Sequence, residues 1–132
     1  MPQTAGNPEG SEAGGRAFIS AGIDVLEVSR VRRAVERHGE RFLRRVFTGR
    51  ERAALPSKNP HLFLALGFSL KEAVWKVLPD DTQKACGFPD IEVVWHRGQP
   101  RVFVNGVPFS GSCGWAVSAG MVMTTAVLFR LT

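Results

Sequence analysis

Phe68-Ser69-Leu70-Lys71-Glu72-Ala73-Val74-Trp75-Lys76 is the stretch on which the reading of this chain turns. Asn59 and Pro60 stand ahead of it, an N-cap residue followed by proline at a first helical position, and Pro79 closes it. Between them Leu66, Leu70, Ala73 and Val77 recur at helical spacing and give a long helix a core-facing stripe. Glu72 and Lys76 lie one turn apart beside that stripe and project from one face. Upstream, Gly22-Ile23-Asp24 offers a further carboxylate at the mouth of an arginine-studded helix. Two carboxylates can hold a hard divalent metal, and a neighbouring lysine can hold a phosphate. These groups are a minimal set for chemistry on a pyrophosphate. The plain alternatives are Asp24 as a helix N-cap and Glu72 as a surface partner of Lys76 at i,i+4.

Outward from this helix the pattern predicts an α+β fold. Residues 1–16 are rich in Gly, Pro, Ser and Glu without periodicity and read as a disordered tail, leaving 17–132 as one domain. Ala17 to Ile23 reads as a strand. From Asp24 the residues Val25, Val28, Val31 and Val35 follow helical spacing until His38-Gly39 ends the helix. Phe42, Leu43, Val46 and Phe47 form an apolar patch. Thr48-Gly49-Arg50-Glu51 is a capping-box pattern for a short helix that stops before Pro56. The last third is β-rich: Ile91–His96, a turn at Arg97–Pro100, Val102–Val104, a hairpin signal at Asn105-Gly106, Val107–Phe109, then Trp115–Ser118 and Val122–Leu131 joined near Gly120.

The 132 residues carry a formal net charge of +5, and the excess is local. Nine arginines and no lysine lie between Arg30 and Arg52, against Glu36, Glu40 and Glu51. Such a patch favours an acidic partner, with a solvated helix face as the ordinary alternative. No apolar run is long enough to span a bilayer and no secretory signal is present, so no membrane partner and a cytoplasmic location are expected. Cys86 and Cys113 have no metal-like spacing and read as reduced packing residues. Trp75, Trp95 and Trp115 read as packing side chains, and His38, His61 and His96 as surface or cap residues.

In order and spacing, several pieces together resemble the small holo-(acyl-carrier-protein) synthase type of 4′-phosphopantetheinyl transferase. They are Gly22-Ile23-Asp24-Val25-Leu26-Glu27, Phe47-Thr48-Gly49-Arg50-Glu51, Phe68 to Lys76, Asp90-Ile91-Glu92-Val93 and Gly98-Gln99-Pro100. The resemblance covers residues 18 to 131. It implies an antiparallel sheet packed against a long helix, and a trimer with sites between subunits. It implies transfer of the 4′-phosphopantetheine arm of coenzyme A to a serine of an apo acyl carrier protein in fatty acid or polyketide biosynthesis, leaving adenosine 3′,5′-bisphosphate. On that resemblance Asp24 and Glu72 would bind Mg²⁺, and Glu72 and Lys76 would serve catalysis. Lys71, Lys76, Pro100 and Ser118 would contact coenzyme A, and Arg30 and Arg37 would dock the acidic carrier.

The chain departs from the family pattern in three places. Ala119 stands where a histidine is usual, with Ala116 in place of the first serine of the same stretch. Gly67 stands where an arginine is usual. Leu78 to Gly87 replaces a glycine-rich loop. Lys84 and Arg97 are candidates to compensate. A second reading follows from these losses: a catalytically impaired or repurposed relative that binds an acyl carrier protein without transferring the arm. A nucleic-acid-binding module rests only on the basic patch, which lacks exposed aromatics to stack bases, and no nucleic acid partner is expected.

Overall fold

A computed structural model describes residues 17–131; the expected disordered tail lies outside the described residues. Strand β1 (Ala17–Glu27) pairs antiparallel along its whole length with β6 (Met121–Leu131), from Ala17↔Leu131 to Glu27↔Met121. β6 also pairs with β5 (Ser112–Ser118), giving the order β1-β6-β5. A second antiparallel sheet holds β2 (Ile91–His96), β3 (Gln99–Val104) and β4 (Val107–Pro108). Between β1 and β2 run α1 (Val28–His38), α2 (Glu40–Val46), α3 (Gly49–Ala53), α4 (Pro60–Val77), α5 (Asp80–Ala85) and a 3-10 turn at Phe88–Asp90. α4 packs on β1 and β6 and reaches β2, so the antiparallel sheets are organised around one long helix, as the α+β reading expects.

The sequence misplaces one boundary that matters. The first strand does not end at Ile23: it continues to Glu27, and the helix begins at Val28. The ladder with β6 supplies partners through Glu27↔Met121, and Glu27 stays extended as the residue before the helix. Val25 therefore belongs to a period-2 pattern, on the exposed face of the sheet, and Asp24 is a strand residue rather than a helix cap. Two short helices add detail that the sequence left open. The apolar patch after Gly39 is a helix, α2, and the segment replacing the glycine-rich loop carries α5. Asn59 precedes α4 as expected, yet its side chain makes no capping bond; it sits in the left-handed region, φ 56°, which asparagine tolerates better than most residues.

Gly22 lets β1 lie directly on α4. A Cβ there would come within 2.6 Å of the Ala73 carbonyl oxygen and 3.1 Å of Lys76 Cβ, so a side chain would push the strand off the helix. This close approach brings Asp24, two residues on, to the flank of α4.

The helix is locked from its other side by Glu51. The capping box expected for α3 forms: Thr48 N–H donates to Glu51 Oε1 at 2.9 Å, and Glu51 N–H donates to Thr48 Oγ1. The Glu51 carboxylate also accepts from Lys71 Nζ at 2.8 Å and from Val93 N–H at 2.8 Å. Glu51 and Lys71 are 3% and 1% exposed. Lys71 completes its set of donors on the carbonyls of Phe88 and Ile91. One ion pair thus joins α3, α4 and β2 inside the core.

Lys71→Met leaves the Glu51 carboxylate buried without its counter-charge, a loss of about 3–5 kcal/mol. Adding Glu51→Gln keeps an acceptor for Val93 N–H and removes the orphan charge. In urea unfolding the double variant should therefore be more stable than Lys71→Met alone.

Candidate active site

Asp24 comes from β1 and Glu72 from α4. Ser69 Oγ donates to Asp24 Oδ2 at 2.8 Å and lies 2.7 Å from Thr124 Oγ1. Ser69 has one hydroxyl proton and gives it to Asp24, so Thr124 is the donor in the second bond. Ser69 and Thr124 are fully buried, and Thr124 is the cross-strand partner of Asp24. This relay fixes one Asp24 oxygen. Lys76 approaches the other: its ammonium donates to the Ile23 carbonyl at 2.7 Å and stands 3.6 Å from Asp24 Oδ1. Lys76 therefore turns toward the strand, where an i,i+4 pairing would have turned it toward Glu72.

Burial raises the Glu72 pKa first, the Asp24 charge raises it further, and Lys76 opposes the shift. Two carboxylates are thus held near one another with less positive charge than they need, an arrangement that a cation would relieve. Among the described residues no third His, Cys, Asp or Glu joins them. Two carboxylates suit an ion that takes its remaining ligands from phosphate oxygens and water, as Mg²⁺ does, so this donor set fits that metal.

Glu72 stands between two cavities. One, of ≈ 350 Å³, is bordered by Asp24, Glu72, Arg30, Phe42 and Phe68. The other, of ≈ 280 Å³, is bordered by Glu72, Trp75, Gln83, Cys86 and Phe88. The structure therefore brings together Asp24, Glu72 and Lys76, with Arg30 beside them. Arg37 is exposed two turns along α1 and lies outside both linings. Pro100 pairs with Trp95 in the second sheet and Ser118 ends β5 at the surface; neither lines either cavity.

Lys71, expected to meet coenzyme A, borders the second cavity and also has a structural role. Its ammonium is engaged by Glu51 and two carbonyls, and it lies 5.5 Å from the centre of the Phe47 ring. Burial pulls its pKa down, with Glu51 the strongest opposing influence. The residues the sequence reading passed over are Ser69 and Thr124. Ser69 had a signal: three residues after Leu66 and four before Ala73, it is a hydroxyl set in the apolar stripe. Thr124 had none, because only strand pairing places it opposite Asp24.

The departures also acquire a setting. Gly67 is buried under Phe47, whose ring would stand 3.3 Å from an added Cβ, so an arginine here would have to displace that ring. Ala119 occupies the exposed β5–β6 turn at φ 51°, followed by Gly120 at φ 76°.

A family model described as the 4′-phosphopantetheinyl transferase superfamily matches residues 20–120. The holo-[acyl-carrier-protein] synthase of Chlamydia trachomatis serovar D is 40% identical over 88 residues, covering 66% of this chain and 74% of that protein. The holo-[acyl-carrier-protein] synthase of Carboxydothermus hydrogenoformans is 41% identical over 90 residues, covering 67% and 72%. The crystal structure of a holo-(acyl-carrier-protein) synthase from Bacillus anthracis, in complex with CoA (3′,5′-ADP), matches with a TM-score of 0.67 at 26% identity over 83% of this chain and 94% of that one.

The raised Glu72 pKa carries a pH signature in the metal-free protein. Below the ordinary carboxylate range Glu72 is protonated whether folded or not, and its contribution to stability is fully present. As pH rises through the raised folded pKa, the carboxylate ionises against Asp24 and that contribution is lost. Thermal unfolding across this window should show the difference in Tm between wild type and Glu72→Gln shifting in favour of the variant as pH rises.

Proposed function

Because the chain belongs to the 4′-phosphopantetheinyl transferase superfamily, we infer that it moves the 4′-phosphopantetheine arm of coenzyme A to a serine of an apo acyl carrier protein. The products are the holo carrier and adenosine 3′,5′-bisphosphate. The observation that carries this reading is the meeting of Asp24, from the Gly22-Ile23-Asp24 strand, with Glu72 at the edge of one cavity, while Lys76 stands at the Asp24 carboxylate.

Asp24 and Glu72 would hold Mg²⁺ here, and the ion when bound would neutralise charge on the donor's phosphate oxygens. Ser69 and Thr124 keep Asp24 aimed at that position. Lys76 is an exposed cation at the same edge, with one proton on Ile23 O and others available to a phosphate oxygen. Arg30 borders the cavity and Arg37 follows it seven residues later on the same face of α1, an exposed pair suited to an acidic carrier helix. Lys71 anchors α4 through Glu51 and borders the cavity beyond Glu72, on the side from which it would meet coenzyme A. Pro100 and Ser118 would reach coenzyme A only where a neighbouring subunit completes the site.

Assembly into a trimer is part of this reading. The face of the first sheet turned away from α4 is apolar: Ile19 is opposite Phe129, Ala21 opposite Val127, and Val25 opposite Met123. Ile19 is 70% exposed and Phe129 60%. A contiguous apolar face of this kind calls for a protein cover, and the resemblance supplies other copies of the chain as that cover. Among the described residues no helix is long and apolar enough to cross a membrane; a cytoplasmic site is part of the proposal.

Incubation with coenzyme A, Mg²⁺ and a panel of apo carrier proteins should add the mass of phosphopantetheine to a carrier. Glu72→Ala or chelation of the metal should abolish that gain. Carrier binding with no gain across the panel would instead support the repurposed relative, a reading that the Ala119 and Gly67 departures motivate. Sedimentation should show a trimer that Ile23→Lys with Phe129→Glu converts to monomers.

A further inference from the structure

Ser69 and Thr124 are hydroxyl side chains with no exposed surface, buried where α4 meets the first sheet. Apolar side chains of similar size would fill the same space, and a buried hydrogen bond adds only about 1 kcal/mol net. Packing therefore gives no reason for hydroxyls here. Their bonds run in one direction: Thr124 donates to Ser69 at 2.7 Å, and Ser69 donates to Asp24 Oδ2 at 2.8 Å. Each hydroxyl has a single proton, and both are spent on this line. A serine inside a helix has a rival acceptor in the carbonyl four residues back, here that of Ala65. The bond from Thr124 holds the Ser69 hydroxyl away from that carbonyl and on Asp24.

The two Asp24 oxygens are thus unequal. Oδ2 is tied to the relay in the core, whereas Oδ1 stands 3.6 Å from the ammonium of Lys76, an exposed side chain. Oδ1 is the oxygen that an incoming cation would meet. Hard cations differ in what they ask of a carboxylate. Mg²⁺ demands near-octahedral geometry at about 2.1 Å and keeps several waters, so one oxygen from an aspartate is enough. Ca²⁺ takes about 6–8 oxygens at about 2.3–2.6 Å, and a carboxylate that turns to offer both of its own helps to reach that number. An aspartate with one oxygen held from beneath cannot turn. Hydrogen-bond partners of a ligating carboxylate orient it in this way and tune what it binds.

We propose that Ser69 and Thr124 are positioning residues that hold Asp24 as a one-oxygen ligand, so that the crevice between Asp24 and Glu72 selects Mg²⁺ over Ca²⁺. This rests on the reading of Asp24 and Glu72 as metal ligands and adds what sets their selectivity. The two hydroxyls act through Asp24 rather than on the ion. Thr124 serves at one remove, by keeping Ser69 turned toward the carboxylate.

Thermal unfolding of the protein titrated with magnesium chloride or calcium chloride alone gives an apparent Kd for each ion, because an ion that binds only the folded state raises Tm. The part of each shift that Glu72→Ala abolishes belongs to this crevice. Wild type should bind Mg²⁺ the more tightly. Ser69→Ala should move the ratio of the two constants several-fold toward Ca²⁺, and Thr124→Val should move it the same way by less. Thr124→Ser keeps the hydroxyl and should keep the wild-type ratio. Ser69→Ala combined with Thr124→Val leaves neither hydroxyl orphaned in the core, and it should show the full change even where Ser69→Ala alone fails to fold. Loss of packing weakens both ions together, so an unchanged ratio, with or without weaker binding, would overturn the assignment. Thr124→Ser behaving as Thr124→Val would overturn it too, as would a wild-type protein stabilised equally by both ions or by neither. These curves need neither coenzyme A nor a carrier, so a failure of transfer in the carrier panel bears on the transferase reading alone.

Discussion

The ion pair between Glu51 and Lys71 sets the orientation of the helix on which the site is built. A buried pair of this kind gains little net stability, because desolvating two charges offsets their attraction. What it fixes is geometry. Glu51 is itself held by the cap of α3 and by Val93 of β2, so Lys71 can satisfy its ammonium only with α4 turned one way. Successive residues of a helix point about 100° apart. With Lys71 directed into the core, Glu72 is directed to the crevice beside it, between the two cavities. The charge at the surface of the site is aimed by the charge beneath it.

The opposite side of α4 shows the complementary device. There contact distance sets the position: Gly22 allows β1 to touch the helix backbone, and the Thr124–Ser69 relay fixes the carboxylate that arrives with the strand. The result is a locally unfavourable electrostatic arrangement, two carboxylates facing each other with Lys76 as partial compensation. It persists because the core on both sides of α4 holds its walls. Leu70, Ala73 and Val74 are completely buried along the same helix.

Most of this was legible where the information is local. The Thr48–Glu51 capping box, the span of α4 between Pro60 and Pro79, and the turn at Asn105-Gly106 follow from spacings of a few residues, and the structure contains each of them. Asp24, Glu72 and Lys76 could be picked out as a group, although not from spacing alone: the resemblance supplied the expectation that they meet. What escaped was decided by distant partners. Asp24 to Glu27 carried a helical period and became strand because β6 paired with them. Lys71 was expected at coenzyme A and is a core residue because Glu51, twenty residues upstream, shares with it the oxygen Oε1 that also closes the cap, while Oε2 holds Val93 N–H. The short helix α5 has too few residues to show a period, and its hydrogen bond with Trp75 is a tertiary feature.

The pairing of β1 with β6 has a consequence for how the protein comes into being. Asp24 lies opposite Thr124, roughly a hundred residues later in the chain, and among the described residues β6 is the one strand beside its own. During synthesis the helices and the second sheet emerge while β1 still lacks its neighbour, and contacts spanning so much sequence form slowly. The carboxylate that begins the site is therefore among the last groups to be set in place. A nascent chain halted before β6 would carry every other residue of the site and yet be inert, so competence arrives in a single late step.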